Sequence, residues 1–192
     1  RDAMRLLKLL LILFVCAAEP TAAKPVDDAL AAQRSGDYAK SFYMLLKLAS
    51  DGDAEAQYFL GHMYRAPLFV PQDYVAAMAW YRKAADQRNA EAQHMIGLLY
   101  DEGLGVPQDY GHAVRWYRRS ANQGSWRGQF GLGHMYNFGR GVTQDHVQAY
   151  MWLTLVVAVE PMYRLDLNYI AAKMTPAQIA EAQKLAREWK PK

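Results

Sequence analysis

With 192 residues, 52% of them hydrophobic and 21% charged, the chain has the apolar content of a folded core and too much of it for disorder throughout. Its 22 Lys and Arg nearly balance 19 Asp and Glu, a formal +3. No compact basic run or basic-aromatic stripe accompanies that charge, so the sequence points to no nucleic-acid partner.

The first segment differs from the rest. Arg5 and Lys8 follow Met4, an unbroken apolar run covers 9–15, and small residues with one proline extend to Ala23. This is the layout of a signal peptide over 1–23, with cleavage expected after Ala18 or Ala23. The run is shorter than the roughly 20 residues a membrane span needs. Export to the periplasm, or secretion, is therefore expected. The single cysteine, Cys16, stands where a lipoprotein would be acylated, but Val15 before it is bulkier than that site prefers. Membrane attachment is expected only with lipidation there. A lone cysteine in the leader also excludes an internal disulfide or a thiol-rich metal site in the mature domain.

Beyond the leader, a degenerate helix pair is expected over 27–52, with a short helix at 28–35 and a turn at Gly36-Asp37. Three units with a 36-residue period follow, at 53–88, 89–124 and 125–160. The register holds in independent columns: Gly61, Gly97 and Gly133; Tyr64, Tyr100 and Tyr136; Trp80, Trp116 and Trp152; Asp73, Asp109 and Asp145. Within each unit the spacing predicts a first helix (55–65, 91–101, 127–138), on which Leu60, Gly61 and Tyr64 share one side. Glycine inside a helix costs about 1 kcal/mol relative to alanine. Its repetition implies a close helix contact. The aspartates then cap a second helix, whose tryptophans are expected in the core.

The connections at Gly103-Leu104-Gly105 and Gly139-Arg140-Gly141 superficially resemble phosphate loops. No strand precedes them and no Gly-Lys-Ser/Thr follows, so the glycines are read as turn formers. The first unit has Pro67-Leu68-Phe69 there and must either expose its apolar residues or fold them back. After 160, capping helices are expected over 161–192, one at 165–174 and one opened by Thr175-Pro176 with Gln178 in a capping box.

No catalytic residue, metal or cofactor is expected. None of the serines sits in a nucleophile elbow, there is no His-Glu-x-x-His, and His62 and His134 lie two repeats apart.

The pattern Ala-Gln, Leu-Gly, Tyr, Gly-x-Gly-Val, Asp-Tyr, Ala, Trp-Tyr, carried by Ala92 through Ala121, resembles the Sel1-like repeat family, relatives of tetratricopeptide repeats. The chain is similar to bacterial exported members. The resemblance implies an all-α fold, a right-handed α/α superhelical solenoid, and a scaffold or adaptor role in the cell envelope. A cysteine-rich branch associated with β-lactams has paired cysteines that this chain lacks, so that association does not carry over.

First helices of such units line the inside of the curve. Side chains there that do not repeat are candidate contacts for a protein or peptide: Tyr58, Phe59, His62, Arg65, His94, Met95, Phe130 and His134. A cell-wall or amide hydrolase and a self-associating envelope subunit are the alternative readings.

Overall fold

The computed structural model describes residues 24–192; the expected leader and Cys16 lie outside the described residues. Among the described residues there are ten α-helices, one 3-10 turn and no strand. The helices are α1 (Pro25–Arg34), α2 (Tyr38–Ser50), α3 (Ala54–Arg65), α4 (Tyr74–Asp86), α5 (Ala90–Glu102), α6 (Tyr110–Asn122), α7 (Trp126–Phe138), α8 (His146–Val159), α9 (Arg164–Ala171) and α10 (Pro176–Glu188). From α1 to α9 each packs on the next, and α9 and α10 both close the stack against α8. None is long and apolar enough to cross a membrane.

The caps explain the boundaries. Asp73, Asp109 and Asp145 each accept a backbone N–H from the first turn of α4, α6 and α8. Asp53, Asn89 and Ser125 do the same for α3, α5 and α7. Each such cap is worth about 1 kcal/mol. Helix α1 starts at Pro25, ahead of the expected position, because proline suits a first helical residue and the Asp27 carboxylate accepts the Lys24 N–H. Helices α5 and α7 end on Gly103 and Gly139 at φ 70° and 66°. Arg88 takes the same left-handed conformation, φ 65°, at the place where other units use Gly52 and Gly124.

The glycine column makes a close contact inside each helix pair. A Cβ added at Gly61 would lie 2.6 Å from the Tyr81 ring, and one at Gly97 2.6 Å from Tyr117. In the third unit Leu153 replaces the tyrosine and the gap relaxes to 3.2 Å from Gly133. This corrects the expected core. Leu60, Gly61, Gly97, Gly133 and Trp152 are buried, but Trp80 and Trp116 are half-buried, with Lys83 and Arg119 lying over their rings. Adjacent helix positions point about 100° apart, and in α4 and α6 it is Tyr81 and Tyr117 that point inward while the tryptophans take the flank. The tyrosine enters because it fits the space the glycine leaves. Trp152 is buried because Leu153 is smaller and Trp189 covers it, ring centroids 5.9 Å apart. Tyr64, Tyr100 and Tyr136 are half-buried. The Tyr100 and Tyr136 hydroxyls each accept from an arginine, Arg82 and Arg118, at 3.0 Å.

Neighbouring pairs are joined by glutamines. The Gln57 amide donates to the Ala49 carbonyl and accepts from Gln87 at 2.9 Å. Gln93 repeats the pattern with the Ala85 carbonyl and Gln123. Two departures from the repeat compensate one another: Ser120 replaces the alanine found at Ala84, and Gly128 replaces that at Ala56 and Ala92. A Cβ at Gly128 would collide with Ser120, whose hydroxyl donates to the Ala90 carbonyl at 2.7 Å. The glycine loops also touch the preceding pair. Gly105 presses on the Tyr74 backbone and Gly141 on that of Tyr110. Phe69 occupies the corresponding position in the first unit and lays its ring 5.5 Å from Phe42. It folds back in part and remains 42% exposed, beside Leu68 at 47%.

Candidate functional site

Helices α5 and α7 pack directly on each other, a contact that the second helices α4, α6 and α8 do not match between successive pairs. Between these two units the first helices are closer together than the second helices, which makes the first-helix face the inner one there. Tyr58, Phe59, His62, Arg65, His94, Phe130 and His134 are half-buried on these helices.

Met95 is different. It is 5% exposed and belongs to the core shared by α4 and α5, so its assignment as a partner contact is corrected. Its column holds Phe59, Met95 and Gly131, and a Cβ at Gly131 would lie 2.8 Å from the Tyr117 ring. Variation there follows the space a neighbour leaves and is no sign of a free surface. Phe59 itself joins the cluster between α2 and α3 while also edging an open groove.

That groove, about 560 Å³, runs between the start of α3 and the start of α5 and is lined by Glu55, Tyr58, Phe59, Arg88, Glu91 and Arg127. Glu91 is fully engaged: it accepts from Ser125 at 2.8 Å and pairs with Arg127 at 3.0 Å. Deeper along the face, His62 sits 4.7 Å from Tyr58 and 5.6 Å from Tyr81, ring to ring. Burial pushes His62 down to about 4, helped by the charge of Arg65. Burial likewise pushes His94 down to about 4, against the opposing pull of Glu91. Both rings are neutral at pH 7. The buried ring nitrogens His62 Nε2 and His94 Nδ1 have no protein hydrogen-bond partner.

Between α5 and α7 lies a cavity of about 200 Å³, whose lining includes Leu98, Asp101, Tyr117, Phe130, Phe138 and Arg140. The Tyr117 hydroxyl donates to Asp101 at 3.2 Å. Burial raises the Asp101 carboxyl above the usual carboxylate range, opposed by that hydrogen bond and by Arg140. His134 stacks 4.3 Å from Phe130 and stands 3.9 Å from Asp166 on α9; burial lowers its basicity and Asp166 partly restores it. Histidines 62 and 134 thus serve separate surroundings. No group of three or more metal-ligating side chains occurs among the described residues.

Of the eight named contacts, Tyr58 and Phe59 line the groove, His94, Phe130 and His134 line the cavity, His62 and Arg65 line neither, and Met95 lies in the core. Sequence reasoning left out Tyr81, Tyr117 and Arg140. A signal for the tyrosines existed: a glycine column in one helix needs a bulky column in its partner.

The family model for the Sel1 repeat matches residues 32–53, 54–89, 90–125 and 126–155. No curated protein matches the sequence significantly. Among solved structures, the chain is similar to a protective antigen present in uropathogenic Escherichia coli strains that displays an SLR fold, at TM-score 0.74 and 27% identity, over 96% of this chain and 44% of that one. It is also similar to a Sel1 repeat protein from Oxalobacter formigenes, at TM-score 0.68 and 28% identity, over 85% of this chain and 71% of that one. The chain thus spans less than half of the Escherichia coli protein.

Proposed function

The chain belongs to the Sel1 repeat family, and from that premise we propose that it is a protein-binding scaffold of the bacterial cell envelope, holding a protein or peptide on its inner face. The observation that carries this reading is the run of aromatic and arginine side chains left half-buried on that face, Tyr58, Phe59, Arg65 and Phe130, with Tyr58 and Phe59 lining the groove and Phe130 the cavity. Aromatic residues and arginine are what protein interfaces concentrate.

Export rests on the basic, apolar and small-residue order of residues 4–23. It accords with one similar protein being a protective antigen. The N-terminal mass of protein recovered from fractionated cells tests it; an intact leader on cytoplasmic protein would count against it.

The binding role is tested by alanine or charge substitutions at Tyr58, His62, Phe130 and His134, with helix content checked by circular dichroism. Capture of partner from envelope extract should fall at least tenfold. Unchanged capture by folded variants would refute the assignment of this face.

A further inference from the structure

The sequence holds no compact basic run, but the fold gathers one on the second helices. The 36-residue period sets Arg82 on α4 in the same place as Arg118 on α6, and Lys83 in the same place as Arg119. Arg115 stands one turn earlier on α6, so that 115, 118 and 119 share one side of that helix. All five side chains are exposed. Unit three ends the patch, with Thr154 and Leu155 in the equivalent places and α10 packed on α8.

Acids do not balance these cations. Asp86 is the one acid within α4, and α6 has none. The two helices therefore hold more excess positive charge than the formal +3 of the whole chain. Asp109, which caps α6 and feels the Arg115 charge, is already bonded to His112 at 2.6 Å. None of the five belongs to an ion pair among the described residues. Their contacts are with neutral groups. Arg82 and Arg118 donate to the Tyr100 and Tyr136 hydroxyls, while Lys83 and Arg119 lie over Trp80 and Trp116, 3.9 and 4.6 Å from the ring centroids. Such contacts leave the charge uncancelled, where a surface built only for solubility would mix the signs.

The tryptophans say which anion fits. Both are half-buried, so the face carries an indole beneath each outer cation. That layering matches the boundary of a bilayer, where tryptophan sits at headgroup level and basic side chains reach phosphate. Nucleic-acid bases need an open ring to stack on, and both rings here are covered.

We propose that the outward face of α4 and α6 is a peripheral docking surface for anionic phospholipid, with Lys83, Arg115 and Arg119 meeting phosphate and Trp80 and Trp116 at the headgroup boundary. A chain lying on lipid by its second helices keeps the first-helix face free for a protein partner.

Sedimentation of the folded chain with vesicles tests it. Vesicles of phosphatidylcholine alone should leave the protein in solution. Vesicles mixed with phosphatidylglycerol should carry it down, and less so as salt is raised. Each cation removed is worth about fivefold in partitioning. Arg115→Glu with Arg119→Glu should therefore lose at least tenfold, whereas Arg115→Lys with Arg119→Lys should keep it. Lys24→Glu with Lys184→Glu makes the same change in net charge elsewhere and should lose little. Circular dichroism shows that each variant folds. No sedimentation with the mixed vesicles, undiminished sedimentation of the α6 reversal, or equal loss from both reversals would overturn the proposal. Capture by immobilised polyglutamate as tight as by the mixed vesicles would make the partner an acidic protein and overturn the lipid assignment. Each of these outcomes leaves the reading of the inner face standing.

Discussion

Replacing Gly97 by alanine probes the packing that makes this fold a stack of pairs. The new Cβ would lie 2.6 Å from Tyr117 Cδ1 and 2.8 Å from Cε1, inside any real carbon–carbon contact. Tyr117 has little room to retreat: it is 2% exposed and its hydroxyl is tied to Asp101. Overpacking of this kind costs about 1–3 kcal/mol, and alanine returns about 1 kcal/mol of helix propensity. Gly97→Ala should therefore destabilise the protein by up to about 2 kcal/mol. Gly133→Ala is the internal control, because its nearest atom is Leu153 Cγ at 3.2 Å. That neighbour can yield by a few tenths of an ångström, so the propensity gain should leave this variant neutral or up to about 1 kcal/mol more stable. Urea unfolding of both variants, followed by circular dichroism, reads the difference directly. A Tyr117→Leu background, which imitates the third unit, should abolish most of the Gly97→Ala penalty in a double-mutant cycle. Equal shifts in the same direction for both glycines would refute the reasoning.

The tryptophans should separate by burial. Trp152→Ala, at a 6% exposed position, should cost about 3–5 kcal/mol, and Trp116→Ala, half-buried under Arg119, about 1–2 kcal/mol; equal losses in urea titrations would contradict the assigned orientations. Stability should fall on acidification. His62 and His94 sit near 4 in the folded protein against the usual 6.5, so between those values the unfolded chain binds more protons and unfolding is favoured as pH drops. The slope approaches ~1.4 kcal/mol per pH unit for each histidine. Unfolding midpoints measured from pH 7 to pH 5 should decline for the wild type and decline less for His62→Gln and His94→Gln; a flat wild-type profile would show that the rings are solvated.

The columns at 36-residue spacing made the solenoid legible, because stacking demands the same side chain in the same place each time. What they could not settle was which of two adjacent aromatic residues faces inward. Trp80 is larger than Tyr81, and size favours the core, yet the glycine opposite leaves a gap that a tyrosine ring fills. The variable columns misled in a related way at Met95. Met95 lies in the core between α4 and α5, so variability there did not mark an open surface, whereas Tyr58 lines the groove and His94 and Phe130 line the cavity. The paired exchange of Ser120 and Gly128 is a compensation between neighbours. A one-sequence reading sees each departure alone, whereas the structure shows that they touch. Asp101 was visible as one member of a changing column, but the hydrogen bond it accepts comes from Tyr117 on another helix.

The central claim is that partners meet the face formed by the first helices. It is tested most directly by a photo-crosslinking residue placed, in its own bacterial host, at Tyr58 or Leu98 on that face and at Ala79 or Arg115 on the exposed second helices. A discrete crosslinked species is expected from the first two positions and none from the others. Adducts from Ala79 or Arg115, with Tyr58 and Leu98 silent, would contradict it.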